Sequence, residues 1–259
     1  MDVDFGRTAA DYGKHRAGFP DAFFDRLRTL GIGNPGCSLL DLGTGTGTLA
    51  RGFALRGCAV VGLDPSSALL AEARRIDADA GVTATRYVEG RAEDLPFASS
   101  TFDVVSAGQC WHWFEGVRAA TQAHRVLKNG GRLVIAHFDW IASPGNVVDA
   151  TERLIMRHNP QWDMAGGSGL HPRWLADVSI AGFTDIETFS FDVGTPYSHA
   201  AWRGRIRASA GVAASLPPEN VAEFDRELAR VLADDYPGDP MVVTHRVWAV
   251  TATREVTRF

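Results

Sequence analysis

The chain has 259 residues, 45% of them hydrophobic and 22% charged, which is enough for one large α/β domain or a domain with a small cap. A formal net charge of −5 argues against a broad phosphate-binding surface and hence against a nucleic-acid partner. No stretch supplies the roughly 20 apolar residues of a bilayer span, and Met1 to Gly6 lack the basic and apolar runs of a leader, so a cytoplasmic protein with no membrane partner is expected.

Ala9 to Leu30 reads as one or two helices broken near Gly18-Phe19-Pro20, placed to act as a lid. From Leu39 onward short apolar runs alternate with helical stretches, the pattern of a mostly parallel sheet covered on both faces. Five strands are read over 38–42, 59–63, 85–88, 102–106 and 132–136. Helices are read over 46–56 and 66–77, with Pro65 suited to the first turn of the second. Asn129-Gly130-Gly131 is expected to stop a further helix at Lys128. Beyond this the pattern loosens: Ile141 to Gly169 is rich in Pro, Gly, Asn and Trp. A helix near 173–181, a strand over 184–193, helices within 196–235 and a last strand over 242–253 then follow.

The expected architecture is therefore one α/β domain over 1–259. It comprises a lid (1–30), a core (36–140) and a segment completing the sheet with a reversed strand (141–259), whose insertions near 141–170 and 195–236 form a helical cap. Cys37, Cys58 and Cys110 are odd in number and far apart, with no C-x-x-C pair, so they read as reduced, buried thiols rather than a disulfide framework or zinc site.

Asp41-Leu42-Gly43-Thr44-Gly45-Thr46-Gly47 runs from a strand through a glycine turn into a helix, so backbone there can approach a ligand closely. A dinucleotide site wants G-x-G-x-x-G/A, but Thr48 stands at the last position and the third glycine comes early, at Gly47, which disfavours NAD. Asp41 would repel a pyrophosphate and favour an ammonium or sulfonium group. Asp64 closes the second strand about 20 residues on, the spacing at which an acid accepts bonds from ribose hydroxyls. Its alternative role is an N-cap for a helix beginning at Pro65.

On these residues the chain resembles the class I S-adenosylmethionine-dependent methyltransferases of the small-molecule group. The likeness is strongest over Phe5 to Ala136 and implies a Rossmann-like seven-stranded, mostly parallel sheet with one reversed strand. It further implies that Asp41, Gly43, Gly45 and Gly47 surround the methionine part of S-adenosyl-L-methionine and that Asp64 holds its ribose. Gly90 to Phe97 resembles the family's adenine-reading segment, with Ala92 backbone and Glu93 as the contacts, since Arg91 stands where many relatives carry an acid. Arg125 to Gly131 resembles the usual turn into the fifth strand, with Asn129 where proline is common. Tyr12-Gly13-Lys14-His15-Arg16 resembles the lid helix. Tyr12 and Arg16, neighbours at i, i+4, would meet the cofactor carboxylate together, unless they are an ordinary surface pair.

Ligands of open α/β sheets bind beyond the carboxyl ends of the strands, so Ala107 to Phe114 should face the methyl group. Here the Asn/Asp-Pro-Pro-aromatic motif of amide and base methyltransferases is missing. The Trp-His-Trp-Phe run instead resembles a subgroup with trans-aconitate carboxyl methyltransferases and natural-product tailoring enzymes. His112 is either a general base for a hydroxyl or amine or a packing residue; a carboxylate acceptor would need no base. Gln109 is the expected cofactor contact in this turn. Trp111, Trp113, His137, Asp139, Tyr197, Trp202 and Arg205 are the candidate acceptor contacts, although aromatics at helical spacing commonly serve a core. Arg203, Arg205 and Arg207 also fit an ion-paired helix face. A metal site on His112 and His137 lacks i, i+4 spacing or a clear carboxylate companion, and none is expected. The partner is thus a small-molecule acceptor, methylated on oxygen in preference to nitrogen or carbon, with S-adenosyl-L-homocysteine as the second product. The competing readings are an NAD(P)-dependent oxidoreductase and a non-catalytic cofactor-binding protein.

Overall fold

The structure is a computed structural model that describes residues 18–209, 211–213 and 215–255. In chain order the elements are α1 (Asp21–Thr29), β1 (Ser38–Leu42), α2 (Thr48–Ala54), β2 (Ala59–Asp64), α3 (Ser67–Asp79), β3 (Thr85–Glu89) and β4 (Phe102–Gly108). A 3-10 turn at Trp111–Trp113 leads to α4 (Gly116–Val126), β5 (Leu127–Trp140), α5 (Val147–His158), α6 (Trp174–Ile180) and β6 (Thr184–Tyr197). The chain continues through α7 (His199–Arg207), α8 (Pro218–Asp235) and β7 (Met241–Thr253). The seven strands form one mixed sheet in the order β3-β2-β1-β4-β5-β7-β6, with one antiparallel strand. β1 pairs in parallel with β2 on one side and with β4 on the other. The strand order reverses there, so β1 and β4 flank the crevice where such sheets take ligands. Among the described residues no helix is long and apolar enough to cross a membrane.

The described chain divides into two compact units. The larger comprises 18–138, 171–191 and 247–255; the smaller comprises 139–170 and 192–246. Three of the boundaries therefore fall inside β5, β6 and β7, and the fourth, after residue 170, lies between α5 and α6. Each unit has its own core. In the larger, Leu40, Leu42, Val105, Ala107, Leu133 and Ile135 of the sheet pack with Ala119, Ala120 and Ala123 of α4 and with Trp174 and Val178 of α6. In the smaller, Trp202 and Ile206 of α7 pack with Leu154 and Ile155 of α5 and with Phe224, Leu228 and Leu232 of α8.

Two elements differ from the sequence pattern. The helix expected to run to Lys128 ends at Val126, because Leu127 takes extended dihedrals (φ −67, ψ 146) and pairs with Phe102, so β5 begins there and passes through the glycines. The stretch from Ile141 to Gly169 contains a full helix, α5. Its N-cap Asn146 accepts the Asp149 amide at 2.8 Å, and it buries Val147, Val148, Thr151, Glu152, Leu154 and Ile155.

The glycine turn is braced by a buried polar cluster. Arg51 of α2 pairs through Nε with Asp77 of α3 at 2.5 Å and donates to the Thr46 carbonyl at 2.9 Å. Tyr87 of β3 donates its hydroxyl to the other Asp77 oxygen at 2.8 Å. That hydroxyl sits so close to Gly47, which has φ +77, that a Cβ there would fall 2.2 Å from it. The Asp77 side chain is 6% exposed, so Asp77→Ala would strand both a guanidinium and a phenol. The expected loss is on the order of 3 kcal/mol of unfolding free energy, read as a lowered urea midpoint, whereas exposed Asp79→Ala should leave the midpoint nearly unchanged.

Candidate active site

Asp41, next to last in β1, lies inside the protein, 1% exposed. Parallel register sets it beside Ser106 of β4. The Ser106 hydroxyl donates to Oδ1 at 2.7 Å and the Thr44 hydroxyl donates to Oδ2 at 2.7 Å. Burial pushes the carboxyl up to about 6 from 3.8, the nearby Asp64 adds to the rise, and the two hydroxyl bonds oppose it. Asp64, also buried, accepts the Gly45 amide and the Ser66 amide, each at 2.9 Å, and burial raises its pKa as well. The N-cap of α3 is Ser66, whose hydroxyl accepts the Leu69 amide. The helix accordingly starts at Ser67 rather than Pro65, and Asp64 ties the end of β2 to the glycine turn instead of capping. Within that turn a Cβ at Gly43 would meet Cys110 and Phe114 at 2.9 Å, whereas a Cβ at Gly45 would meet nothing within 4 Å among the described residues. Gly45 is thus the open face of the turn, held by one acid and four residues from the other. Two buried carboxyls displaced toward neutrality favour a cationic, hydroxyl-bearing ligand over an anionic one.

Ala92 is buried, and Glu93 is partly engaged: its Oε1 accepts the Glu115 amide at 3.0 Å and its Oε2 lies 3.8 Å from Arg91. At the end of β4, Gln109 adopts φ +60, a conformation uncommon for a residue with a Cβ. Its amide donates to the Ala136 carbonyl at 2.8 Å and its side chain donates to the Phe138 carbonyl at 2.7 Å, so this turn is bolted to the end of β5.

Trp111 and Trp113 part company. Trp111 is 1% exposed and donates Nε1 to Asp177 at 3.0 Å, a core position, while Trp113 is 51% exposed. His112, half-buried between them, has its ring 4.6 Å from Trp113 and 5.5 Å from His137. Buried His137 in turn lies 4.3 Å from the ring of His171 and 4.8 Å from Trp174. His171 stacks flat on Trp174, with centroids 4.2 Å apart and planes at 1°. The carboxyl ends of β4 and β5 therefore present three imidazoles and a solvent-facing indole. His171 and Trp174 were not among the sequence candidates: they follow a loose, aperiodic stretch, and Gly169-Leu170-His171-Pro172 carries no motif.

The remaining candidates lie in the smaller unit. Trp202 is fully buried and donates Nε1 to the Thr151 hydroxyl at 3.1 Å, so it serves that unit's core. Arg203 and Arg207 both pair with Asp225, the ion-paired helix face. Arg205 turns away from them: its guanidinium lies 4.7 Å over Trp140, and it interacts with Tyr197 and Asp139. Burial draws its pKa down, and those two partners oppose the shift. His245, 2% exposed, belongs to the same cluster and is driven down to about 4 by burial, with Arg205 adding to the effect. Tyr12 and Arg16 lie outside the described residues.

Residues 40–135, from β1 into β5, match the methyltransferase domain family Methyltransf_11. That segment is similar to methyltransferase domains, and the sheet has the Rossmann-like fold of class I methyltransferases. The chain is 37% identical over 160 residues to the ubiquinone/menaquinone biosynthesis C-methyltransferase UbiE of Cereibacter sphaeroides, covering 54% of this chain and 59% of that one. It is 35% identical over 133 residues to a malonyl-[acyl-carrier protein] O-methyltransferase of Enterobacter lignolyticus, covering 50% and 49%. The chain thus spans about half to three fifths of the curated relatives' length. A solved structure assigned as a type II methyltransferase from Anaeromyxobacter dehalogenans shares the fold, with a TM-score of 0.66 at 23% identity over 93% of this chain and 99% of that one.

The raised pKa of Asp41 has a pH signature. Because folding raises the pKa from 3.8 to about 6, the favourable contribution of the protonated group is complete below pH 3.8 and is lost as pH rises through 6. Asp41→Asn should therefore stabilise the ligand-free protein at pH 7 to 8, by at most about 3 kcal/mol. Thermal unfolding across pH 4 to 8 should show this gain vanish toward the acid end.

Proposed function

We propose that this chain is a cytoplasmic enzyme that transfers the methyl group of S-adenosyl-L-methionine to a small-molecule acceptor, with oxygen, as carboxylate or hydroxyl, preferred over nitrogen or carbon. One observation carries the donor: two buried acids, Asp41 and Asp64, flank the open Gly45 face at the switch point of the sheet. In this reading Asp64 accepts bonds from the ribose hydroxyls, and Asp41, through the turn of Gly43, Gly45 and Gly47, favours the methionine ammonium and sulfonium. The Ala92 backbone and Glu93 read adenine, Gln109 fixes the methyl-facing turn, and Tyr12 with Arg16 closes on the cofactor carboxylate. The family's dependence on this cofactor supports the assignment. So does the missing glycine at position 48, which speaks against the oxidoreductase alternative.

The reaction is a single displacement. When bound, S-adenosyl-L-methionine would supply a methyl group on a sulfonium for attack by an acceptor lone pair, the carbon–sulfur electron pair staying on sulfur so that S-adenosyl-L-homocysteine would be the neutral thioether product. The protein's contribution is alignment and removal of water, a proximity effect worth several kcal/mol. In this reading His112, whose ring lies beside those of exposed Trp113 and of His137, takes the proton of a hydroxyl acceptor. A carboxylate acceptor carries no such proton. Trp113 and His137 are the acceptor contacts that this geometry favours. Relatives acting on carbon and on oxygen leave the preference for oxygen resting on the Trp-His-Trp-Phe turn and its likeness to carboxyl methyltransferases and natural-product tailoring enzymes.

Calorimetry with S-adenosyl-L-methionine and S-adenosyl-L-homocysteine, followed by transfer of labelled methyl to a panel of carboxylic acids, phenols and amines, tests the reading. Asp64→Ala should weaken cofactor binding at least tenfold, about 1.4 kcal/mol. His112→Ala should lower kcat on a hydroxyl acceptor about 100-fold while sparing a carboxylate. No binding of either cofactor form would sink the proposal; tight binding with no transfer to any acceptor would favour the non-catalytic reading.

A further inference from the structure

At the opposite end of β1 and β2 from Asp41 and Asp64, the structure brings together two thiols that the sequence separates by 21 positions. Cys37 immediately precedes β1 and Cys58 immediately precedes β2, and the Ala59 amide donates to the Cys37 carbonyl at 2.9 Å, continuing the parallel register of the two strands. Neighbours in such a ladder have Cα atoms at about 4.8 Å, inside the range a disulfide spans. The two sulfurs are 3.0 Å apart and unbonded.

Their surroundings are unequal. Cys58 is 1% exposed, its sulfur 3.4 Å from the Gly33 carbonyl and 3.7 Å from that of Asn34. Cys37 is half-buried and lines a cavity of about 280 Å³ with Gly31, Gly33, Asp103, Lys128 and Arg132. Contact with Cys58 lowers the Cys37 thiol's pKa and Lys128 adds to this, while burial and Asp103 oppose it; Cys58 is shifted the other way by the same contact and by burial. One sulfur is therefore reachable and more readily ionised, and its neighbour is sealed behind it. That is the division of labour of an attacking and a resolving cysteine.

We propose that Cys37 and Cys58 are an oxidative modification site: a dithiol that low-molecular-weight disulfides, entering by the Cys37 cavity, convert into an intramolecular Cys37–Cys58 bridge. In the first step the Cys37 thiolate attacks one sulfur of the disulfide RSSR. The Cys37–SR bond forms and the S–S electron pair leaves as RS⁻, which takes up the Cys37 proton. In the second step Cys58 loses its proton and attacks the Cys37 sulfur. The second RS⁻ leaves with that proton, so the protein loses two hydrogens and two RSH are released. The bridge pins the starts of the two strands whose far ends carry the glycine turn and Asp64, and it leaves Cys110, with its sulfur 3.1 Å from the Leu42 carbonyl, untouched.

Incubating the native full-length protein with 2-hydroxyethyl disulfide, quenching in acid, and alkylating under denaturing conditions before peptide mapping provides the test. In most wild-type molecules the Cys37 and Cys58 peptides should become linked and escape alkylation, with Cys110 alkylated as before. The oxidised form should also unfold at a higher temperature, reversed by a reductant, because a closed loop restricts the unfolded chain. Cys58→Ser should stop at the first step and accumulate the hydroxyethyl mixed disulfide on Cys37, and Cys37→Ser should leave Cys58 a free thiol. The proposal is overturned if wild-type Cys37 and Cys58 both stay fully alkylatable after oxidant, if a bridge involves Cys110, or if the mixed disulfide on wild-type Cys37 persists unresolved. None of these readouts depends on methyl transfer, so the dithiol and the enzymatic reading stand or fall separately.

Discussion

Asp41 is buried at the end of β1, where an ionised carboxyl is poorly solvated. The two hydroxyl bonds that hold it come from the residue three positions on and from the register neighbour on β4. This arrangement constrains much of the surrounding structure. β4 must lie beside β1 in one register, the glycine turn must curl back far enough for Thr44 to reach the carboxylate, and Asp64 must approach near enough to hold the Gly45 amide. Two acids so close and so poorly hydrated oppose one another. The fold retains them at a cost to its own stability, which is a common property of sites shaped for a ligand of opposite charge rather than for the empty protein.

Around this centre the remaining parts have separable roles. Arg51, Asp77 and Tyr87 brace the turn from behind, and Gln109 fastens the methyl-facing turn to β5 despite an unfavourable backbone conformation. The imidazoles of His112, His137 and His171 gather beside the indoles of Trp113 and Trp174.

Much of the larger unit was legible in the sequence because each β-run is short, apolar and bounded by turn residues, and because a glycine turn with an acid at fixed distance admits few structures. What escaped has physical reasons. Ser106 reads as one polar residue in an apolar strand, and only strand order shows that it faces Asp41. The helix α5 sits among turn-forming residues, and its N-cap Asn146 looks like part of the loop it ends. Leu127 continues the helical pattern of α4 and leaves it because pairing with Phe102 is available. Asp64 matched a capping residue until the true cap, Ser66, was visible two positions on. Cys37 and Cys58 looked distant because a parallel crossover, unlike a hairpin, places neighbours in space far apart in sequence.

The boundaries inside β5, β6 and β7 also limit how such a protein can be altered. The chain passes between its two units after residues 138, 170, 191 and 246, so no single cut releases the smaller unit as a continuous piece. Recombination that exchanged whole modules would sever three strands. Variation in that unit must instead arrive as paired replacements of two insertions, each inheriting its strand ends from the sheet. The same interleaving makes the native contacts predominantly distant along the chain, which predicts a folding reaction slow for its size and dependent on the last strand being present.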